Sequence, residues 1–474
     1  MKVLDLNGQE NCQNARGDAI IRALIIHSSI CLNRFYLNLD NSPTNRPAPR
    51  IIPRAEHAIS RSNISEEALK VLYGLKKAGH SAYLVGGAVR DLLLGREPKD
   101  FDVATDASPE QIRAAFRNCR LIGRRFRLAH IHFGREIIEV ATFRAQLDSE
   151  AEGDVHMENG RIIRDNVYGS IEEDVWRRDF TVNSLYYNIH DFSVIDYVGG
   201  YEDVQQGLLR LIGDPEQRYH EDPVRMLRAI RFACKLGMRI EAETEAPIRQ
   251  LAPLLGEISP ARLFEEVLKL FHAGYALQTY ERLRHYNLFG QLFPMTERSL
   301  AREENGFPNI LLAESLRSTD KRIAEGKPVN PAFVFAALLW QPMQEYLPKL
   351  HESGMPEVQA IQVATDKAFT RMRESTSIPR RFALMVKEIY VLQARLMHRA
   401  GRRALRLLEL PRFRAAYDFL VLRAIADESL RETAEWWTRI QEVEGDEREA
   451  MLLPAEPKKK RRRRKNPRKK PESH

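Results

Sequence analysis

Two aspartates one residue apart, Asp100 and Asp102 around Phe101, are the residues best suited to chemistry. An apolar run continuing through Val103 reads as a strand, on which residues two apart share a face. Paired carboxylates repel unless a cation lies between them, and hard oxygen donors suit Mg²⁺, which completes its shell with water and phosphate oxygens. Upstream, Tyr83-Leu84-Val85 reads as a buried strand running into Gly86-Gly87. Glycine lets the backbone turn sharply and lets a ligand approach closely. The helix expected from Ala88 to Leu94 ends at Gly95, and Arg90 on it can clamp a phosphate through two N–H groups. Either motif alone is commonplace. Joined on one short stretch, they point to metal-assisted nucleotidyl transfer.

The elements that must position these groups follow in order. Ser65 caps a helix with apolar positions Ala68, Leu72 and Leu75. Ser108-Pro109-Glu110-Gln111 is a capping box with proline at the first helical position. Leu128–Phe133 and Ile137–Thr142 read as a hairpin turned at Gly134-Arg135. Glu139, in its second strand, either joins the aspartate pair as a third carboxylate or faces solvent. Arg124, Arg125 and Arg127 offer a phosphate contact on the preceding loop. Residues 146–161 are polar and aperiodic, and a disordered loop is expected there. Asp222-Pro223 starts a helix on which Arg225, Arg228 and Arg231 form a basic strip. From Ser259 onward amphipathic helices dominate, and Phe333, Phe335, Tyr417 and Phe419 read as core.

Gly-Gly-x-x-Arg-Asp-x-x-x-Gly, followed by Lys-Asp-Phe-Asp, resembles the head of the class II nucleotidyltransferases, the group of the tRNA CCA-adding enzymes and bacterial poly(A) polymerases. The likeness runs from about Ile51 to Leu422. It implies that Arg177-Arg178-Asp179-Phe180-Thr181-x-Asn183 closes a nucleotide pocket. Arg178 would bind triphosphate, and Asp179 would complete the catalytic carboxylates, ahead of Glu139. It also implies that Asp222 and Arg225 read the incoming base, with Arg228 and Arg231 supporting the pocket, so that side chains replace a nucleic-acid template.

Composition sets the remaining limits. Lys458–Lys470 holds eleven basic residues and no acidic one, so the net charge of +8 resides in the tail and the rest is slightly acidic. Lys458, Lys459, Lys460, Arg461, Arg462, Arg463, Arg464 and Lys465 suit sequence-tolerant binding of RNA phosphates. Four scattered cysteines lack metal-ligand spacing and argue for a reducing compartment. No secretory signal and no apolar stretch of membrane-spanning length is read, so a cytoplasmic protein without membrane insertion is expected.

The expected fold is α+β. A mobile extension (1–50) precedes a small mixed-sheet nucleotidyltransferase head (51–200). A helical neck (201–300), a helical body (301–450) and a disordered basic tail (451–474) follow. ATP is the expected substrate, Mg²⁺ the cofactor, and RNA 3′ ends the partner, with RNA-decay proteins as further partners. Three activities are compatible with the residues: RNA polyadenylation, CCA addition to tRNA, and RNA binding without catalysis. The resemblance of Leu121–Phe133 to the poly(A) polymerase phrase, with the basic tail, favours the first.

Overall fold

The computed structural model describes residues 48–123, 127–145, 156–158, 161–164, 167–301 and 310–452. The expectations for most of the N-terminal extension, for Arg124 and Arg125, and for the basic tail lie outside them. The chain divides into two compact units. One holds the described residues up to Gln206 with Arg210–Asp214, and the other holds Gly207–Leu209 with the described residues from Pro215.

The first unit is built on eight strands: β1 (Arg50–Ile52), β2 (Ala82–Val85), β3 (Asp102–Thr105), β4 (Cys119–Ile122), β5 (Leu128–Phe133), β6 (Glu136–Thr142), β9 (Leu185–Asn188) and β10 (Val194–Asp196). They lie in the order β1-β10-β9-β2-β3-β6-β5-β4. Only β3 and β6 pair in parallel in this sheet. A hairpin cannot join a parallel pair, and the chain crosses over through helix Pro109–Ala115, β4 and β5 before returning as β6. The capping box expected at Ser108 is present: its hydroxyl accepts the Gln111 N–H, and the Gln111 side chain accepts the Ser108 N–H.

Side-chain alternation divides the sheet into rows. Leu84, Val103, Val140 and Ala129 are register partners and almost fully buried. Helix Glu66–Lys77 packs against β2, β3 and β6 and buries Ala68, Val71, Leu72 and Leu75. The next row points to the opposite face and crosses all eight strands: Ile51, Ile195, Tyr186, Val85, Asp102, Glu139, His130, Arg120. Its inner apolar members Ile195, Tyr186 and Val85 form one cluster with Ala104, Phe143 and Val175. Val175 belongs to helix Ile171–Arg177, whose N-terminus carries a second capping box, Ser170 with Glu173.

The structure corrects three local expectations. The sheet begins at Arg50, inside the segment read as a mobile extension. Within 146–161, β7 (His156–Glu158) pairs with β8 (Arg161–Arg164) as a ribbon. The overlooked signal was Asn159-Gly160 between short β-prone runs, a hairpin dipeptide. Asp100 precedes β3, which starts at Asp102, so strand alternation does not place the two carboxylates on one face.

The second unit is helical, apart from the two-residue strands Leu208–Leu209 and Arg239–Ile240, which pair in parallel. Its long helices include Val224–Leu236, Pro260–Phe271, Leu311–Ala324, Pro331–Gln344, Glu357–Met372, Arg380–Leu396, Phe413–Ala426 and Arg431–Glu442. Phe335 and Phe419 are fully buried, consistent with core roles. Trp437 is equally buried and donates its indole N–H to the Leu396 carbonyl at 2.8 Å. The apolar ring thereby enters the core without stranding a donor.

Gly200 packs directly against the backbone of the Thr181 turn. A Cβ there would stand 2.2 Å from the Thr181 carbonyl oxygen. Backbone must shift to admit it, and overpacking of this kind costs about 1–3 kcal/mol. Gly200→Ala should therefore lower the melting temperature in a thermal scan. Because Thr181 lies two residues from Asp179, activity should fall further than the folded fraction. A melting temperature equal to that of the parent would show that the segment yields freely.

Candidate active site

The site lies where the cross-sheet row passes from apolar to ionisable side chains. Asp102 and Glu139 are direct register partners on the parallel strands β3 and β6. Their side chains therefore emerge side by side on one face. Beyond them, His130 Nε2 stands 3.3 Å from Glu139 Oε2. The neighbouring carboxylates oppose the ionisation of Asp102. Asp102 stands exposed at the head of β3, yet desolvation by the protein around it, the Glu139 charge and the Asp100 charge push it up to about 6, against the opposing pull of Arg178. Asp100 is exposed and close enough to Asp102 to contribute to that shift.

The turn after β2 forms a second side of the site. Gly86 has φ +70° and ψ −131°, a conformation open to glycine and strained for other residues. It precedes helix Gly87–Leu93. Two guanidinium groups flank the turn. A Cβ on Gly86 would stand 3.6 Å from Arg178 Nη1, and one on Gly87 would stand 3.4 Å from Arg90 Nη2.

Their surroundings differ. Arg90 is 2% exposed; its Nε and Nη2 donate to Asp91 Oδ1 at 2.9 and 2.7 Å, and Nη1 donates to Asn183 Oδ1. In this structure Arg90 is a buried strut that fixes the turn on which it was expected to clamp phosphate. Arg178 remains partly exposed. Its Nε and Nη2 donate to Asp174 Oδ2 at 3.1 and 3.0 Å, and Nε also donates to the Tyr186 hydroxyl at 2.8 Å. Burial pushes the Tyr186 hydroxyl well above its ordinary range, so it stays protonated and donates to Asp174 Oδ2 at 2.6 Å.

Asn183 connects the parts. It accepts from Arg90, its backbone carbonyl accepts from Arg178 Nη1 at 3.3 Å, and its amide donates to Asp179 Oδ1 at 3.4 Å. The Asp179 carboxylate also accepts the Phe180 N–H at 2.9 Å. Its backbone carbonyl accepts the Ile212 N–H at 2.9 Å. Asp179 is thus seated in the turn around Thr181–Asn183, whereas Glu139 is the carboxylate paired in register with Asp102.

In the helical unit, Asp222 Oδ1 accepts the Val224 N–H at 3.3 Å, and Oδ2 accepts from Arg262 Nη2 at 2.7 Å. Pro223 occupies the cap position of helix Val224–Leu236. Arg225 Nη1 donates to the Arg218 carbonyl at 2.6 Å and to Glu221 at 2.7 Å. The strip continues half-buried, with Arg228 and Arg231 over the Phe232 ring at 5.5 and 4.3 Å. Arg127, read as a phosphate contact, is paired with Glu110 at 2.8 Å.

Sequence reasoning missed three framing residues. Asp174 was legible only as an i,i+4 partner of Arg178. Tyr186 alternates onto the active face of β9, and Arg262 follows the Ser259 cap in a later helix.

Gathered on one sheet face, paired acids, a glycine turn and an anchored arginine define a nucleotidyltransferase head. The chain matches the family described as "Poly A polymerase head domain" over residues 82–210. Residues 237–300 match "Probable RNA and SrmB- binding site of polymerase A", and 353–470 match "Polymerase A arginine-rich C-terminus". It is 53% identical to poly(A) polymerase I of Salmonella typhi across 86% of this chain and 89% of that protein. The CCA-adding enzyme of Bacillus licheniformis is 39% identical across 52% of this chain and 61% of its own. Among solved structures, the Bacillus stearothermophilus CCA-adding enzyme in complex with CTP aligns with TM-score 0.52 at 26% identity, covering 78% of this chain and 81% of that one. The chain belongs to the poly(A) polymerase I family.

The electrostatic coupling within the acid pair can be measured directly. Glu139→Gln removes a like charge and should bring Asp102 down from about 6 toward the ordinary carboxylate range. Carboxylate titration of the metal-free protein by NMR would report it. An unmoved midpoint would show that desolvation and Asp100 raise Asp102 without Glu139.

Proposed function

We propose that this protein catalyses template-independent polyadenylation of RNA, transferring AMP from ATP to the RNA 3′-hydroxyl with release of pyrophosphate. The match to poly(A) polymerases along most of the chain carries this reading, because it exceeds the match to CCA-adding enzymes in both identity and extent.

Asp100 and Asp102 are the proposed ligands of a divalent cation. Asp102 fits that role, since a carboxylate whose ionisation is opposed by Glu139 and Asp100 is relieved by a nearby cation. Among the described residues no group of three or more His, Cys, Asp or Glu side chains could hold a metal alone. A pair of aspartates suits Mg²⁺, whose remaining positions are filled by water and substrate phosphates. When bound, the ion supplies Lewis acidity at the reacting oxygens.

The protein's own groups supply position and charge. Arg178 binds the triphosphate beside Gly86, and the side-chain-free turn of Gly86 and Gly87 lets phosphate approach the backbone. Arg90 and Asn183 hold that turn. Asp179 and Glu139 flank the centre, one fixing the pocket turn and the other adding charge beside Asp102. Asp222 and Arg225 read the base, Arg262 holds Asp222, and Arg228 and Arg231 support that helix. Lys458–Lys465 retain RNA by phosphate contact, a sequence-independent attraction that weakens with salt. No helix among the described residues is long and apolar enough to cross a membrane. A cytoplasmic role in RNA processing, alongside RNA-decay proteins, accords with this chemistry.

Asp100→Ala and Asp102→Ala should each reduce turnover at least a thousandfold while RNA binding survives, since the lost interactions act mainly on the transition state. Supplied with ATP alone, the parent enzyme should extend an unstructured RNA into long homopolymer tracts and use CTP poorly. A requirement for CTP first, with arrest after three additions to tRNA, would assign it to CCA addition.

A proton on Asp102 competes with the cation. The Mg²⁺ concentration for half-maximal activity should therefore rise as pH falls through about 6. Calorimetry near that pH should detect proton release on metal binding. A requirement independent of pH would remove Asp102 from the ligand set.

A further inference from the structure

We infer that Asp174 and Tyr186 form a socket that orients Arg178 before ATP arrives, making Tyr186 a positioning residue for the triphosphate. This rests on the proposed role of Arg178. Tyr186 is fully buried in β9, between β2 and β10, and the sheet fixes its ring. The Arg178 guanidinium carbon lies 5.0 Å from the ring centroid. Three hydrogen bonds close a triangle: Arg178 Nε to the Tyr186 hydroxyl at 2.8 Å, that hydroxyl to Asp174 Oδ2 at 2.6 Å, and Arg178 Nη2 to the same oxygen at 3.0 Å.

The triangle has a direction. It engages the Nε and Nη2 side of the guanidinium and places Nη1 beside Gly86, 3.6 Å from where a Cβ would be. Arginine has many rotamers, and ordering it during binding opposes association. Here the ordering is complete in the protein alone. Asp174 also accepts the Arg144 N–H through Oδ1 at 3.4 Å. One carboxylate thus ties the chain leaving β6 to the arginine.

Asp174 takes both Nε and Nη2 on the single oxygen Oδ2, and the Asn183 carbonyl takes Nη1. The tyrosine hydroxyl, accepting from Nε while donating to that same Oδ2, ties both the arginine and its carboxylate to a ring that the sheet holds still. Its contribution should therefore appear in recognition of the phosphates and not of the nucleoside.

The test uses the full chain, with calorimetric binding of ATP and AMP without RNA, alongside steady-state turnover. Tyr186→Phe keeps the ring and removes both hydrogen bonds. It should weaken ATP binding about five- to tenfold, equivalent to about 1–1.4 kcal/mol, the scale of one ordinary hydrogen bond acting through Arg178. AMP affinity should stay within about twofold. The KM for ATP should rise more than kcat falls. Arg178→Lys should weaken ATP on its own, and adding Tyr186→Phe to it should cost little more, since the partner to be oriented has gone. Asp174→Asn provides a second route to the same ATP-selective loss should Tyr186→Phe fold poorly.

Unchanged ATP affinity in Tyr186→Phe and Asp174→Asn, with loss in Arg178→Lys, would overturn the socket and leave the role of Arg178 standing. Normal ATP binding and turnover in Arg178→Lys would overturn both. Equal loss of ATP and AMP would show that Tyr186 supports the fold only.

Discussion

The repulsion between Asp102 and Glu139 is the constraint on which the rest of the head depends. Two carboxylates would separate if their backbones allowed it, and here they are not allowed to. They are register partners on a parallel strand pair whose neighbouring row, Val103 with Val140, is buried on the opposite face. Slipping the register by one residue to separate the acids would also expose those valines. Apolar burial of the valines therefore holds an electrostatically unfavourable arrangement, and the Glu139 charge, after desolvation, helps suppress the ionisation of Asp102. A cation beside Asp102 would relieve it.

The rest of the head can be understood as bracing around this pair. β2 brings the glycine turn alongside Asp102, and β9 brings Tyr186 to the same row. Helix Ile171–Arg177 packs Val175 into the adjoining apolar cluster and ends at Arg178. Asn183 then connects Arg90, Arg178 and Asp179 through three different atoms. The cationic parts are held by other protein groups, not by the acids they would otherwise neutralise. That separation of charge gives one site both an acidic and a cationic side.

Much of this was legible in the sequence because local rules decide it. The capping box at Ser108, the hairpin turning at Gly134 and the helix Glu357–Met372 follow from short-range patterns. The pairing of Asp102 with Glu139 was not, because it joins residues through a parallel crossover that periodicity does not specify. For the same reason Glu139 could be read only as either catalytic or solvent-facing. The burial of Arg90 was equally hidden: an arginine beside a glycine turn suggests a ligand clamp, and only the tertiary partners Asp91 and Asn183 show it to be internal. Arg262 lies forty residues from Asp222 and carries no local sign of their contact.

The segment after helix Gly200–Gln206 has a consequence for dissecting the molecule. Leu208 and Leu209 pair with Arg239 and Ile240 in the helical unit. Immediately afterwards, the Arg210 carbonyl accepts the Thr181 N–H at 3.0 Å, and the Ile212 N–H donates to the Asp179 carbonyl at 2.9 Å. Arg210 also donates to Asp203, which accepts the Thr181 hydroxyl. The catalytic head is therefore not a contiguous piece of polypeptide. Cutting after Gln206, where the compact fold first seems complete along the chain, would unpair the backbone that seats Asp179. Any exchange of heads between relatives must carry Arg210–Asp214 with it, so the natural unit of inheritance here is a spatial one.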